Sequence, residues 1–202
     1  MKYRTGLLAL LCLLSVVWLC GCTIPQSSPV TSPSATGTSA VPVQALETGS
    51  HVFSLHVDAL APGSVLPDVY TCKGAGESPE LSFENIPEGT KSLVLIVDDP
   101  DAPKGTFTHW LLYNIPPSTR KIDRAQPNTK VLANGGQQGD TSAGSRGYYA
   151  PCPPFGSAHR YVFTLYALDY EIPMPTADRD SIDWAISGHV IGQEKFITTF
   201  GR

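Results

Sequence analysis

Two carboxylates and a histidine stand close together in the middle of the chain. Asp99 and Asp101 follow the continuous apolar run of residues 93–97, which predicts a buried strand. His109 lies near the start of the next apolar segment, residues 107–116. Because a hairpin brings the end of one strand next to the start of the following strand, we expect Asp99 and His109 to meet at one end of a sheet. The alternative is an ordinary charged Asp-Pro turn, with His109 as a satisfied rim residue.

A second group of polar side chains opens a later strand. Residues 148–156 form a run with three prolines, and residues 159–168 are rich in β-branched and aromatic side chains. Each proline fixes φ and removes a backbone donor, so the run is predicted to be a stiff loop. The strand that follows is apolar on both faces, which is typical of a central strand. His159 and Tyr161 are two residues apart and share one face at its start, either as site residues or as ordinary rim residues.

Composition and standard motifs exclude several functions. The chain has 202 residues and a net charge of −4, and it has no basic run, so no nucleic-acid partner is expected. It has no nucleophile elbow, phosphate-binding glycine loop, dinucleotide fingerprint, His-Glu-x-x-His or Cys-x-x-Cys motif. Asp99, His109 and His159 are metal-ligating residue types, but an Asp–His pairing explains them without a metal. We therefore predict no metal and no other cofactor.

The N-terminal segment is typical of a lipoprotein signal peptide. Two basic residues precede the apolar stretch 7–19, and the sequence Leu-Cys-Gly-Cys that ends at Cys22 resembles a lipobox. We predict a signal peptide of residues 1–21 and acylation of Cys22; the alternatives are a plain signal peptide or an uncleaved anchor. Residues 22–49 are dominated by Pro, Ser, Thr, Ala and Gly, which predicts a flexible tether. The predicted location is the extracytoplasmic face of a cell membrane. The membrane is therefore a predicted partner, which the protein contacts through its lipid anchor.

Residues 50–202 are predicted to form one domain built mainly of strands. The apolar patterns place strands at residues 51–57, 66–71, 80–83, 93–97, 107–116, 159–168 and 195–200. Residues 181–191 have helical spacing, with Asp180 as the expected N-cap and His189 among the core positions. The polar segment 120–147 is predicted to be a long loop that folds over the site.

Cys72 and Cys152 are the only cysteines beyond the N-terminal segment. Oxidation is favoured in an exported domain, so we predict a disulfide between them. Such a bridge would also hold the proline-rich loop in place. The alternative is two free thiols, one of them buried.

Several motifs in a fixed order carry a resemblance to a known family. They are the segments 98–103 (DDPDAP), 108–110 (THW), 148–154 (YYAPCPP) and 159–161 (HRY), supported by 70–72, 78–82, 114–116 and 187–190. Together they resemble the phosphatidylethanolamine-binding protein family, in its prokaryotic Raf-kinase-inhibitor-like branch. The resemblance covers residues 50–202. It departs from the branch at Lys73, Phe83 and Ala150, none of which is a predicted site residue.

The resemblance implies a mostly β fold with two antiparallel sheets and few peripheral helices. It also implies a small pocket for an anion such as phosphate or a phospholipid headgroup. The ligand-binding residues carried over by position are Asp99, His109, Pro153, Pro154, His159 and Tyr161. Pro153 and Pro154 are expected to form a wall of the pocket, and Asp101 is expected to brace the acidic turn.

The residue types suit such a pocket. His109 and His159 can supply ring N–H donors, and Tyr161 can supply a hydroxyl. A carboxylate hydrogen-bonded to a histidine fixes the tautomer and favours the imidazolium, so the site would be close to neutral overall. We expect weak, selective binding of a monoanion or a zwitterionic headgroup.

Two functions remain open at this point. The first is a lipid-anchored binding protein outside the cytoplasm, without catalytic activity, that could inhibit a partner enzyme such as a protease. The second is a hydrolase or transferase that uses Asp99 and His159 in acid–base chemistry. The sequence shows no evident nucleophile beside this pair, which favours the first function.

Overall fold

The structure, a computed structural model, describes residues 52–202. The predicted signal peptide, the predicted tether and Cys22 lie outside the described residues. No helix within residues 52–202 is long and apolar enough to cross a membrane.

The described chain forms two antiparallel sheets. The strands, in chain order, are β1 (Ser54–Val57), β2 (Leu81–Glu84), β3 (Ser92–Asp99), β4 (Phe107–Ile115), β5 (Lys121–Ile122), β6 (Gln137–Gln138), β7 (Ala158–Leu168) and β8 (Val190–Gly201). One sheet has the order β1-β2-β5, and the other has the order β6-β4-β3-β7-β8. The helices of residues 52–202 are α1 (Arg179–Ile186) and a short 3-10 helix (Asp68–Tyr70). The predicted mostly β fold, with two antiparallel sheets and few helices, is confirmed.

Strand β3 occupies the middle of the larger sheet, between β4 and β7. Its buried run alternates between two hydrophobic clusters. Leu93, Leu95 and Val97 pack in the cluster that also contains side chains of the smaller sheet, whereas Val94 and Ile96 pack in the cluster that contains α1 residues. Both faces of the strand are therefore covered, which is why its sequence is continuously apolar rather than alternating.

The register of the larger sheet places three strand ends together. Asp99 at the end of β3 pairs with Phe107 at the start of β4. On the other side, Asp98 pairs with Val162, near the start of β7. Because both neighbours run antiparallel to β3, the end of β3 meets the starts of β4 and β7, where His109 and His159 lie.

The α-helix is shorter than the sequence pattern predicts. It ends at Ile186, and the chain turns through Gly188, with φ of 82°, before β8 begins. The apolar residues at 190 and 191 therefore belong to a strand, so the predicted helix over 181–191 crossed an element boundary. The prediction of Asp180 as the N-cap is also wrong, because Asp178 accepts a hydrogen bond from the backbone N–H of Ser181.

Two further expectations are corrected by the tertiary structure. His189 is not a core residue: its side chain is 45% exposed, and its Nδ1 lies 2.8 Å from Asp169 Oδ1. Residues 66–71 do not form a strand, because the chain turns into the 3-10 helix directly after Pro67. Pro67 has no backbone N–H to donate to a strand partner, which favours this turn.

The long polar segment 120–147 does not fold over the cavity described below. It contributes β5 to the smaller sheet and β6 to the larger one. Gln138 anchors it: its Oε1 accepts from Trp110 Nε1 at 2.8 Å, and its Nε2 donates to the carbonyls of Pro127 and Thr129 at 2.7 Å each. The segment therefore supports β4 from the side.

Candidate functional site

A small cavity opens where β3 ends and β4 and β7 begin. Its volume is about 290 Å³. The residues that line it are Asp99, Ala102, Pro103, Phe107, His109, Tyr149, Cys152, Pro153, Pro154 and His159. Most of the lining is apolar, and the polar side chains come from the three strand ends. Five of the six predicted ligand-binding residues therefore lie at this cavity, and the sixth, Tyr161, does not line it.

Asp99 and His159 form a buried hydrogen-bonded pair. His159 Nδ1 lies 2.7 Å from Asp99 Oδ2, and the side chains are only 7% and 5% exposed, respectively. The other carboxylate oxygen, Oδ1, accepts from the backbone N–H of Asp101 at 2.9 Å. Because the carboxylate can only accept, the Nδ1 of His159 carries the hydrogen. The opposite ring nitrogen, Nε2, is therefore the atom of His159 left for chemistry.

His109 is held by a backbone carbonyl rather than by a carboxylate. Its Nδ1 lies 2.7 Å from the carbonyl oxygen of Tyr149, so Nδ1 must carry a hydrogen and donate it. Burial lowers the pKa of His109 below 6.5, and the hydrogen bond to Tyr149 and the nearby charge of Asp99 oppose this only in part. The neutral ring is favoured at pH 7, and in that form Nε2 is an acceptor.

Tyr161 lies in the core beside the site rather than in its lining. It is fully buried, and its ring meets that of His109 edge-on, with centroids 5.3 Å apart. Its hydroxyl has no hydrogen-bond partner among the described residues. Burial and, secondarily, the charge of Asp99 raise the pKa of Tyr161. It therefore stays a neutral phenol, and it packs against His109.

The proline-rich loop is tied down on both sides of the cavity. Cys152 is joined to Cys72 by a disulfide with a Cα–Cα distance of 5.4 Å. Next to this bridge, the backbone N–H of Cys72 donates to the carbonyl of Pro151 at 3.0 Å. The carbonyl of Pro153 accepts from the guanidinium of Arg202 at 2.5 Å. Pro153 and Pro154 thus form a wall of the cavity that is fixed to distant parts of the chain.

Asp101 links the acidic turn to β7. It accepts from the backbone N–H of Arg160 at 2.9 Å and from the Arg160 guanidinium through both carboxylate oxygens. These bonds hold the pKa of Asp101 well below its usual range. Since Arg160 follows His159 directly, this pair fixes the strand position that carries the histidine.

Some residues of the site were not predicted from the sequence. Phe107 and Tyr149 line the cavity with their rings 5.5 Å apart. Phe107 could have been found, because it stands two residues before His109 on the same face of β4. Ser157 was also missed: its Oγ lies 3.4 Å from His159 Nε2, and the signal was again a spacing of two residues.

No group of three or more His, Cys, Asp or Glu side chains within residues 52–202 is arranged to hold a metal ion. The cavity offers an Asp–His pair, a second buried histidine and an apolar wall.

Fold and site together define a two-sheet β protein with a small cavity over a buried Asp–His pair. The sequence profile of the phosphatidylethanolamine-binding protein family matches residues 56–201. The chain belongs to this family, whose binding-protein fold it adopts.

Individual relatives agree with this assignment. A UPF0098 protein from Methanothermobacter thermautotrophicus is 44% identical over 138 residues, which cover 68% of this chain and 91% of the relative. A UPF0098 protein from Aquifex aeolicus is 44% identical over 144 residues, which cover 69% of this chain and 83% of that relative.

Two solved structures share the fold. CT736 from Chlamydia trachomatis, described as a homolog of phosphatidylethanolamine-binding protein, has a TM-score of 0.69 and 34% identity, and the match covers 76% of this chain and 99% of that one. YbcL from E. coli, described as a new member of the mammalian family, has a TM-score of 0.68 and 27% identity, with 74% and 98% covered.

Proposed function

We propose that the chain is an extracytoplasmic, lipid-anchored binding protein whose cavity takes a small anionic group. The observation that carries this proposal is the buried pair of Asp99 and His159 beside His109, at the bottom of a cavity with a rigid apolar wall. The ligand class is phosphate or the headgroup of a phospholipid. Lipid on Cys22 would keep the cavity close to a membrane, and the protein partner we propose is an enzyme outside the cytoplasm, such as a protease.

The hydrogen bonds define how an anion would be held. In their neutral forms, both His109 and His159 use Nδ1–H inside the protein and present Nε2 as an acceptor. An anion is therefore bound only when a histidine takes up a proton and Nε2 becomes a donor. Asp99 fixes the orientation of His159 by accepting from its Nδ1–H. The site then carries one positive and one negative group, which suits a monoanion or a zwitterionic headgroup.

Titration calorimetry with inorganic phosphate and with phosphoethanolamine tests the proposal. The wild type should bind more weakly at pH 8 than at pH 6, because binding requires an imidazolium. His159→Ala should weaken binding about ten- to a hundredfold, since a charge-assisted hydrogen bond contributes roughly 1.5–3 kcal/mol. Stronger binding of phosphoethanolamine than of phosphate would indicate a headgroup as the ligand.

A matched control is available on the surface. His189 also pairs with an aspartate, Asp169, at 2.8 Å, but it lies away from this cavity. His189→Ala should leave the affinity for phosphate unchanged. If His159→Ala unfolds at the same denaturant concentration as the wild type and still binds phosphate equally well, the proposed site is wrong.

A further inference from the structure

We propose that Ser157, His159 and Asp99 act together as a nucleophile, a general base and an orienting carboxylate for acyl transfer. This activity goes beyond anion binding in the cavity, and it does not depend on it. Ser157 is partly exposed at the edge of the site, whereas His159 and Asp99 are buried. The serine is thus reachable from solvent, while its base is shielded from it.

The three side chains lie in the order nucleophile, base and carboxylate that acyl transfer requires. Ser157 Oγ lies 3.4 Å from His159 Nε2, and His159 Nδ1 lies 2.7 Å from Asp99 Oδ2. The first distance is longer than a strong hydrogen bond, as is common in sites without a bound substrate. The Ser157 hydroxyl at present donates to the carbonyl of Pro154 at 2.8 Å. Rotation of one side-chain bond would turn the hydrogen from Pro154 towards Nε2.

The tautomer of His159 is the one that this chemistry needs. Asp99 accepts from Nδ1–H, so the neutral ring presents a lone pair on Nε2, towards Ser157. Only this form can take the serine proton. After transfer, the imidazolium is stabilised by the carboxylate of Asp99, which remains ionised.

The reaction balances without a metal or an oxidant. Ser157 Oγ attacks the carbonyl carbon of a carboxylic ester, and its proton moves to His159 Nε2. The C–O bond to the alcohol then breaks, the alcohol leaves with that proton, and an acyl-serine remains. Water repeats the sequence through the same base, releasing the acid and restoring Ser157. The small cavity with its apolar wall suits an ester of a short or aromatic acid.

The local backbone indicates a slow turnover. The N–H groups of Gly156 and Ser157 already donate to the carbonyls of Arg202 and Pro154, so they do not stabilise an oxyanion. A missing oxyanion donor slows acyl transfer by about 10²–10³-fold. Covalent labelling of the serine is therefore a more sensitive measurement than steady-state hydrolysis of an ester.

The chain contains a matched control for this arrangement. Ser187 stands two residues before His189, as Ser157 stands two residues before His159, and His189 is also paired with an aspartate, Asp169. Ser187 is exposed, and no hydrogen bond joins it to His189 in the described part of the chain. A serine two residues before a histidine, and an Asp–His pair, are thus present in both places. Of these two serines, only Ser157 has its hydroxyl in contact with the imidazole.

The test is labelling of the full chain by an alkyl fluorophosphonate, followed by intact-mass measurement and peptide mapping. In this reaction Ser157 Oγ forms a bond to phosphorus, fluoride leaves, and the serine proton passes to His159. In the wild type we expect one adduct, on Ser157. The Ser157→Ala variant should carry no adduct, and the Ser187→Ala variant should be labelled as the wild type is. Asp99→Asn should slow labelling at least about tenfold, because the amide cannot stabilise the imidazolium.

The pH dependence separates this proposal from the anion site. The groups that act on His159 are Asp99, Asp101 and His109. Labelling needs a neutral imidazole and phosphate binding needs an imidazolium, so a rise in pH should speed labelling and weaken phosphate binding. Labelling of the wild type that is no faster than that of Ser157→Ala, or that maps to another serine, would overturn the proposal whatever the phosphate result.

Discussion

His109, His159 and His189 are one residue type in three different environments. His159 donates to a buried carboxylate, His109 donates to a buried carbonyl, and His189 pairs with a carboxylate at the surface. The partner of Nδ1 decides which nitrogen remains free and which charge state is favoured. Burial separates the three histidines further, because His109 and His159 are buried whereas the side chain of His189 is 45% exposed.

The lowered pKa of His109 predicts a loss of stability in acid. Below pH 6.5 the unfolded chain binds a proton at this histidine, whereas the folded chain resists it. The free energy of unfolding should therefore fall as the pH drops from about 7 to 5, by at most about 1.4 kcal/mol per pH unit for this one proton. Urea denaturation of the wild type and of His109→Gln measures it. Gln cannot titrate but can still donate to Tyr149, so an equal pH dependence in both proteins would contradict the assignment.

At the scale of elements, the site depends on segments that are not themselves part of it. The proline-rich loop is held by the Cys72–Cys152 disulfide, and β4 is supported by the segment that carries Gln138. Both contacts join residues far apart in the chain. Each therefore limits how far the strand ends can move relative to the wall of the cavity.

Loss of the disulfide should weaken both the fold and the cavity. The bridge spans a sequence separation of 80 residues. A loop of that length corresponds to a stabilisation of about 4.5 kcal/mol in the chain-entropy model. Cys72→Ala combined with Cys152→Ala should unfold at lower urea concentration and bind phosphate more weakly, because the loop becomes mobile. Wild type reduced with dithiothreitol should behave as the double variant does; equal unfolding midpoints for reduced and oxidised protein would argue against a stabilising bridge.

Gln138 should be intolerant of apolar replacement. Gln138→Leu would leave the indole N–H of Trp110 and the carbonyls of Pro127 and Thr129 without this partner. A buried donor left unsatisfied costs about 1–3 kcal/mol, and Trp110 is fully buried whereas Pro127 and Thr129 are exposed, so a loss of about 1–3 kcal/mol is expected in urea denaturation. The control is Gln137→Leu, because that neighbour is partly exposed and should cost less than about 1 kcal/mol. Similar losses in both variants would show that Gln138 has no special role.

At the scale of the whole molecule, the N-terminal sequence predicts where the domain works. We propose that a domain that follows the predicted signal peptide and the predicted tether acts beside a membrane. This favours ligands and partners that are found at that surface.

The predicted anchor is tested by producing the protein in its native host and partitioning it between aqueous and detergent phases. We expect the wild type in the detergent phase and Cys22→Ser in the aqueous phase, because the acylated cysteine is lost. Cys20→Ser is the matched control, since it changes a cysteine two residues away and should leave the protein in the detergent phase. Equal partition of the wild type and Cys22→Ser would contradict the lipoprotein assignment.

The sequence by itself predicted a domain of strands from its apolar pattern, and the family resemblance of its motifs implied the two antiparallel sheets and the ligand-binding residues. Strongly apolar segments predicted β3, β4 and β7 correctly, and the run in β3 is continuous because that strand is buried on both faces. Local periodicity gave a wrong prediction at the junction between α1 and β8. The helical spacing of residues 181–191 continued across Gly188 into β8, because the pattern counts apolar residues and does not register a reversal of the backbone.

Only the tertiary structure decided the chemistry of those residues. Nothing in local spacing shows that His109 donates to the carbonyl of Tyr149, which lies 40 residues away in the sequence. The same holds for the distance between Ser157 and His159, which depends on the path of the loop before β7. Spacing indicates which residues share a face, whereas the free nitrogen of each histidine is set by a hydrogen bond whose partner comes from a distant segment. The sequence therefore predicted which side chains lie at the cavity. The packing of the three strand ends decided which ring nitrogen of each histidine carries the hydrogen.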